Sequence, residues 1–348
     1  MVVVPDAVVP TPEAEPRRFR AARKHPIAGF VARRVATGIV TLFVVSILIF
    51  LATNILPGNA VTVILGRSAT PAVVHRLERQ LNIDKSVPAR YFSWLGGAVH
   101  GDFGKSVVAE VESKPNTAVS STLGDPLRNS FVLAALTTAL LIPLTLLLGA
   151  VAGIKAGRAA DHVISFPALV MGGLPEFVTG TILIYVFFNK LGLLPPVALL
   201  SPGESPFSNL KALVLPVLTL LAVAAGAGVR QVRAGMAETL QQDYIHFARL
   251  NGVRERRVIW RYALRNALAP SVQIIAQNLQ YLVGGIIIVE SVFAYPGIGT
   301  YLVNAVTSRD VIEVQAAAVI LAALYIAINL LADLIVVFLV PKLRTGMR

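Results

Sequence analysis

The sequence predicts an all-α protein that crosses a membrane repeatedly, and three features carry that expectation. Hydrophobic residues make up 55% of the 348 positions and charged residues only 14%, where a soluble domain carries about 25% charged. The apolar residues gather into runs of about twenty, each long enough to cross a hydrocarbon core of roughly 30 Å. The cationic residues gather in the connections between alternate runs, as they do in loops that stay on the cytoplasmic side.

Residues 1–28 hold Pro5, Pro10, Pro12, Pro16 and Pro26 beside Arg17, Arg18, Arg20, Arg23 and Lys24. Such a stretch cannot bury a core and is expected to be a disordered cytoplasmic extension able to touch anionic lipid. The run 35–56 exceeds the apolar part of a signal peptide and no small-x-small cleavage site follows, so it reads as the first span. Further spans are expected over 129–152, 163–189, 212–235, 267–290 and 314–340, which gives six within a domain covering 29–348. The long connection 57–128 is expected to be a small external helical insertion. Thr70 is an N-cap ahead of Pro71 for a helix to about Leu81. Pro88 opens another, in which Tyr91, Trp94, Leu95 and Val99 lie at helical spacing.

Charge sets the orientation. With both termini inside, 20 Lys and Arg fall on the cytoplasmic segments and 11 outside. Eight of those 11 lie in the 57–128 insertion, which is too long to weigh heavily in the positive-inside rule. The net charge of +12 is therefore read as membrane topology, and nucleic acid is not an expected partner. The absence of cysteine excludes disulfides, thiol catalysis and cysteine metal sites. The histidines at 25, 75, 100, 162 and 246 show no ligand spacing, and no metal site is expected.

Several motifs need weighing. "GDFGKS" at 101–106 resembles a phosphate-binding loop, but the Walker pattern needs a glycine where Val99 stands. Nucleotide binding is not expected there. Gln273, Gln277, Gln280 and Gly284 recur on one helical face. Amides are costly against lipid, so this face looks inward, either as interhelical glue or as the lining of an aqueous path. Glu176 and Asp333 are carboxylates inside apolar sequence, hence functional candidates or buried structural partners. Asp333 shares a face with Asn329 near the cytoplasmic end, which favours the structural role. Prolines at 143, 167, 175, 216 and 270 are expected to kink or begin helices.

The polar interruption "QQDYIHFARLNGVRERRVIWRYALRNALAP" (241–270) is the most informative stretch. Tyr244, Phe247, Ala248 and Asn251 fall on one face of a short helix, and Gly252 can take the positive φ that ends it. Arg254, Arg257, Arg261 and Arg265 then line one side of a second helix. The expected structure is a helix-turn-helix lying on the inner membrane surface, over 236–265. It is either a lipid-anchored loop or a docking surface.

These residues resemble the cytoplasmic signature of ABC-importer permeases: Glu-Ala-Ala, three residues, then Gly. Here His246-Phe247-Ala248 and Gly252 occupy the pattern. The forms "DY…AR…G" and "LRNAL.P" look like the dipeptide/oligopeptide/nickel branch. "LPGN" (56–59), "GDFGKS", "LPEFV" (174–178), "LGLLP" (191–195), "VESVFAYPGIG" (289–299) and "NLLADL" (329–334) agree with it. The resemblance covers about 30 to 344, and the large outer insertion is similar to that of the first (B-type) permease subunit.

The resemblance implies a type I importer permease fold and a transport subunit rather than an enzyme. Implied partners are a second homologous permease subunit, two cytoplasmic ATPases that bind ATP and Mg, and an extracytoplasmic binding protein. The chain itself would hold no cofactor. Asp243, Tyr244, Phe247, Ala248, Arg249, Gly252 and Arg254 would couple to an ATPase. Gln273, Gln277, Gln280 and Glu176 are the candidates for the path. Short peptides are the implied substrate, with nickel chelates, glutathione or other small solutes as alternatives. The first two family positions, Glu and Ala, are replaced here, and Val340 stands where the family's C-terminal acid would be. An intramembrane enzyme would need paired acids, which this topology does not bring together. A secondary transporter would need inverted repeats and buried ion ligands.

Overall fold

The computed structural model describes residues 26–55, 86–111 and 117–339, and among them it is helical without a strand. The helices are α1 (Pro26–Ile55), α2 (Val87–Val99), α3 (Val107–Val111), α4 (Val119–Ile154), α5 (Ala159–Gly173) and α6 (Glu176–Ile184). They continue with α7 (Leu210–Leu240), α8 (Asp243–Leu250), α9 (Glu255–Arg257), α10 (Leu264–Val292), α11 (Ile298–Thr307) and α12 (Val311–Leu339). A π-helical turn, Tyr185–Lys190, prolongs α6, and a second, Val258–Ala263, joins α9 to α10. The expected 1–28 extension lies almost wholly outside the described residues, as do the helix expected from Thr70 to Leu81 and Val340.

Among the described residues α1, α4, α7 and α12 are each long and apolar enough to cross a membrane, and α5 with α6 makes five if the pair is one span. The run expected at 267–290 forms the 29-residue α10. The expected third span, 163–189, is corrected in shape: it is bent by 111° between α5 and α6. Leu174 precedes Pro175 and so is driven out of the helical region, to ψ 136°. Pro175 then caps α6, where its missing N–H costs no hydrogen bond.

The centre of the bundle is α7. In its most apolar stretch 72% of residues are buried, against 11%, 22% and 6% for α1, α4 and α12. It is approached closely because its contacts are glycines. A Cβ on Gly149 or Gly153 of α4 would lie 2.5 Å from Val232 or 2.6 Å from Met236. A Cβ on Gly226 would lie 2.5 Å from the backbone N of Gly172 in α5. Leu133, Leu215, Leu220, Val229, Val289 and Phe293 fill the spaces between α4, α7 and α10.

At the flank, α1 and α12 run antiparallel. Gln315 Nε2 donates to Thr53 Oγ1 at one end (2.7 Å), and Arg34 pairs with Asp333 at the other (3.1 Å). Asp333 thus has the structural role expected of it, and the start of α1 lies beside the end of α12. Helix α2 lies along α1: the Tyr91 and Ser46 hydroxyls are 2.8 Å apart, and Tyr91 packs edge-on against Phe43 and Phe50. Tyr91, Trp94 and Leu95 turn inward as expected, while Val99 at the helix end stays 76% exposed.

Two buried carboxylates tie the connections to the bundle. Asp310 accepts from Ser106 Oγ (2.7 Å) and the Val108 N–H (3.0 Å), and from the Ile312 and Glu313 N–H groups that open α12. The last residue of "GDFGKS" is therefore spent on an internal clamp. Glu290, at the end of α10, is fully buried and accepts from Ser130 Oγ of α4 and the N–H groups of Gly299 and Thr300 in α11. The first turn of a helix has N–H groups without partners. The capping residue Gly297 has no side chain to serve them, so Glu290 does so across the fold. A Cβ at Gly297 would collide with that carboxylate.

Glu290→Ala strands buried donors that cost about 1–3 kcal/mol each when unsatisfied. It is expected to lower the melting temperature of the purified protein clearly, Gln less so, and Gly297→Ala is expected to act like Glu290→Ala. Wild-type melting for both alanine variants would contradict the clamp.

Candidate functional site

The polar interruption folds into the expected hairpin. Asn251 N–H bonds the Phe247 carbonyl (3.0 Å), Gly252 N–H that of Arg249 (3.0 Å) and Val253 N–H that of Ala248 (3.1 Å). The last two bonds are the 5→2 and 6→1 pair of a Schellman ending, with Gly252 in the left-handed position at φ +75°. A Cβ on Gly252 would meet nothing within 4 Å, so backbone conformation alone calls for glycine. Val253 and Ala248 supply the hydrophobic contact that accompanies this motif, beside Ile245, Val258, Ala263, Ala267 and Met236. This small core fastens the hairpin to the ends of α7 and α10.

The core also decides which side chains face out. Ile245 is fully buried, whereas Phe247 is 63% and Leu250 71% exposed. Ala248 is half-buried against the hairpin's own core, so the expected row of Tyr244, Phe247, Ala248 and Asn251 is split. The outward apolar pair is Phe247 and Leu250, and Leu250 was not singled out from the sequence. Tyr244 is partly exposed and its hydroxyl accepts from Asn266 Nδ2 (3.0 Å). Asp243 is exposed in the first turn of α8, where the helix dipole favours an anion.

Arg249 is not free to meet a partner. Its guanidinium donates twice to Glu255 across the turn, at 2.7 and 3.1 Å. Those bonds hold Glu255 below its ordinary 4.5 and raise Arg249. Arg254 is exposed at the N-cap of α9. Arg265 is also exposed, but it does not line the groove formed by Arg254, Arg256, Arg257, Trp260 and Arg261. The π turn advances the chain by an extra residue, i to i+5, and so breaks the row expected at α-helical spacing.

Above the hairpin, Asp161 is 1% exposed and takes two bonds from Arg233 of α7, at 2.7 and 2.5 Å. The Gly157 N–H and Ser165 Oγ complete its shell. The pair locks the α4–α5 turn to α7. It was missed in sequence because its members stand 72 residues apart.

For the path, the structure brings Glu176 against α10. It is 6% exposed, Tyr281 of α10 is half-exposed, and a Cβ on Gly285 would lie 2.9 Å from its Oε1. Gln280 is half-buried. Gly284, one turn further on, faces open space. Gln273 and Gln277 stand in α10, but their side chains lie outside the described residues. Among the described residues no group of three His, Asp or Glu is placed to hold a metal ion.

Long apolar helices gathered round α7, with an ordered hairpin at one end, define a helical membrane protein. The comparisons agree: residues 145–345 match the family described as the binding-protein-dependent transport system inner membrane component, and residues 27–122 its N-terminal region. The chain belongs to this family and is a permease subunit of an ABC transport system. It is 32% identical over 320 residues to a putative peptide permease protein of Brucella ovis, covering 90% of this chain and 98% of the relative. It is 30% identical over 315 residues to a probable peptide ABC transporter permease protein of Sinorhizobium fredii (90% and 99%). A glutathione transport system permease protein of Pectobacterium atrosepticum is 32% identical over 315 residues (90% and 98%).

Two outcomes check this geometry. Gly252→Val is expected to disorder the turn, because a β-branched residue resists positive φ, whereas Gly252→Asn is tolerated better. Limited proteolysis of the membrane-embedded protein reads the difference, and equal resistance of both variants would contradict it. Glu255 is depressed in the folded state, so its contribution is present above 4.5 and is lost as pH falls through the lower folded value. The pair is largely exposed and is therefore screened by salt. Acid-induced loosening of the hairpin is expected in the wild type and not in Glu255→Gln.

Proposed function

We propose that this chain forms half of the translocation pathway of an ATP-driven importer for short peptides, and that its hairpin is the seat of an ATPase. The observation that carries the docking assignment is the exposed pair Phe247 and Leu250, held on a hairpin whose other face is locked to α7 and α10. Adjoining apolar side chains exposed on a polar surface suit a site of protein contact. Asp243, Tyr244 and Arg254 rim the apolar edge. Arg249, Ala248 and Gly252 act from within, by setting the shape of the hairpin.

In this reading ATP and Mg belong to two cytoplasmic ATPase subunits, and the chain holds no cofactor of its own. A second homologous permease subunit completes the path, and an extracytoplasmic binding protein delivers the substrate. The hairpin and both termini face the cytoplasm, in keeping with the excess of Lys and Arg on that side. Peptide as substrate is supported by the names of the relatives from Brucella and Sinorhizobium. The Pectobacterium relative favours glutathione as a second reading, and nickel chelates stand behind both. Glu176, with Gln280 and the open side of Gly284, lines the path, and the sequence spacing of Gln273 and Gln277 extends the row. A buried carboxylate in a membrane domain suits the ammonium end of a peptide.

Phe247→Arg and Leu250→Arg are expected to reduce both the ATPase subunits retained on the purified chain and substrate-stimulated ATP hydrolysis, each by tenfold or more (roughly 1.4 kcal/mol per tenfold). The amount of chain in the membrane should not change, since neither side chain is packed. Wild-type retention and activity for both would remove the hairpin as the docking element. Glu176→Gln is expected to lower uptake of labelled di- and tripeptides into proteoliposomes while the ATPases stay bound. Uptake competed by glutathione but not by dipeptides would replace the peptide reading with the glutathione one.

A further inference from the structure

Beyond the apolar edge of α8 the hairpin carries a second surface, which shares only Arg254 with the proposed docking rim. Arg254, Arg256, Arg257, Trp260 and Arg261 line an open groove of about 510 Å³. All four guanidinium groups are exposed, and among the described residues none has an ion-pair partner. Arg249 differs in being neutralised by Glu255. Trp260 is 64% exposed, in a segment whose neighbours Val258 and Ala263 are fully buried.

We propose that this groove binds the phosphodiester headgroup of an anionic phospholipid in the leaflet on the hairpin's side. Three observations favour lipid over protein as the occupant. The first is depth. Helix α9, the π turn and α10 follow one another without a break, and at 1.5 Å per residue Trp260 sits about 10 Å along the axis from Ala267, where the apolar run expected to span the membrane begins. An exposed indole at that level is the residue that settles among headgroups. The second is chemistry. Guanidinium forks match phosphate oxygens in pairs, and the groove has room for a phosphoglycerol group. The third is the shape of the π turn. Its i to i+5 pattern carries Arg256, Trp260 and Arg261 into one concavity, where α-helical spacing would have aligned Arg257, Arg261 and Arg265. The hairpin would then meet protein with α8 and lipid with α9. The proposal goes beyond the docking assignment and does not depend on it.

The test uses the complete transporter, purified in mild detergent with this chain tagged. Native mass spectrometry counts the lipid retained after addition of palmitoyl-oleoyl phosphatidylglycerol, and separately of the phosphatidylcholine with the same tails. The wild type is expected to retain phosphatidylglycerol and not phosphatidylcholine. The double variant Arg256→Gln with Arg261→Gln is expected to weaken that retention about 30-fold, each lost cation near the surface contributing about equally, while ATPase subunits stay bound. If that pair lowers the yield of chain, Arg257→Gln alone reads the same groove.

Equal retention of the two lipids, or unchanged phosphatidylglycerol in the glutamine variants, overturns the proposal. Displacement of the lipid by inorganic phosphate shows a free-anion site and overturns the lipid assignment. Loss of ATPase subunits from the glutamine variants with lipid unchanged makes the groove a protein contact, which also overturns it. Phe247→Arg keeps the two readings apart: lipid retained with ATPases lost leaves both standing, and lipid retained with ATPases also retained sinks docking alone.

Discussion

Close approach of helix backbones around α7 is the constraint on which the rest of this protein depends. Between helices in lipid there is no hydrophobic driving force, because the tails are as apolar as leucine, and association rests on packing and interhelical hydrogen bonds. Gly149, Gly153 and Gly226 let α4 and α5 reach α7 at distances where a Cβ would collide. Everything functional hangs from that contact. Met236 near the end of α7 forms the hairpin core with Ile245 and Val258, and Arg233 one turn earlier holds the α4–α5 turn through Asp161. A displacement imposed on α8 therefore reaches α7 and α10 through packed side chains.

The carboxylates separate into two kinds. Asp161, Glu290 and Asp310 are buried and fully engaged, with guanidinium, hydroxyl or backbone N–H groups directed at them, and they hold turns to helices. Glu176 is buried too, but Tyr281 of the facing α10 is half-exposed, and α6 begins with Glu176 at a 111° break. Glu176 therefore keeps an open neighbour that the other three lack.

Much of this was legible in the sequence, and the rest was hidden for physical reasons. Gly252 and the hairpin could be read because a helix ending leaves a local signature: a glycine, with small and apolar residues at fixed offsets. The span runs could be read because hydrocarbon thickness sets their length. What local spacing could not give was contact between distant segments. Ser130 and Glu290 are 160 residues apart, and Arg34 lies nearly the whole chain from Asp333. The outward face of α8 was misjudged at Ala248, because which side is buried depends on where α7 and the π turn lie. The same π turn removed Arg265 from the groove and brought in Arg256. Pro175 announced a break in the third run, but the angle belongs to the packing of α5 and α6 on α7.

The docking claim can be tested most directly by a contact measurement, which the absence of cysteine in this chain makes clean. A single cysteine at Leu250, carrying a photoactivatable maleimide probe, is compared in native membranes with one at Leu199, whose side chain is equally open in the connection between α6 and α7. The account requires the Leu250 probe to capture an ATP-binding subunit and the Leu199 probe to capture none. Capture of lipid alone at Leu250, with the transporter intact and active, would show that the outward edge of α8 lies on the membrane and would contradict the account.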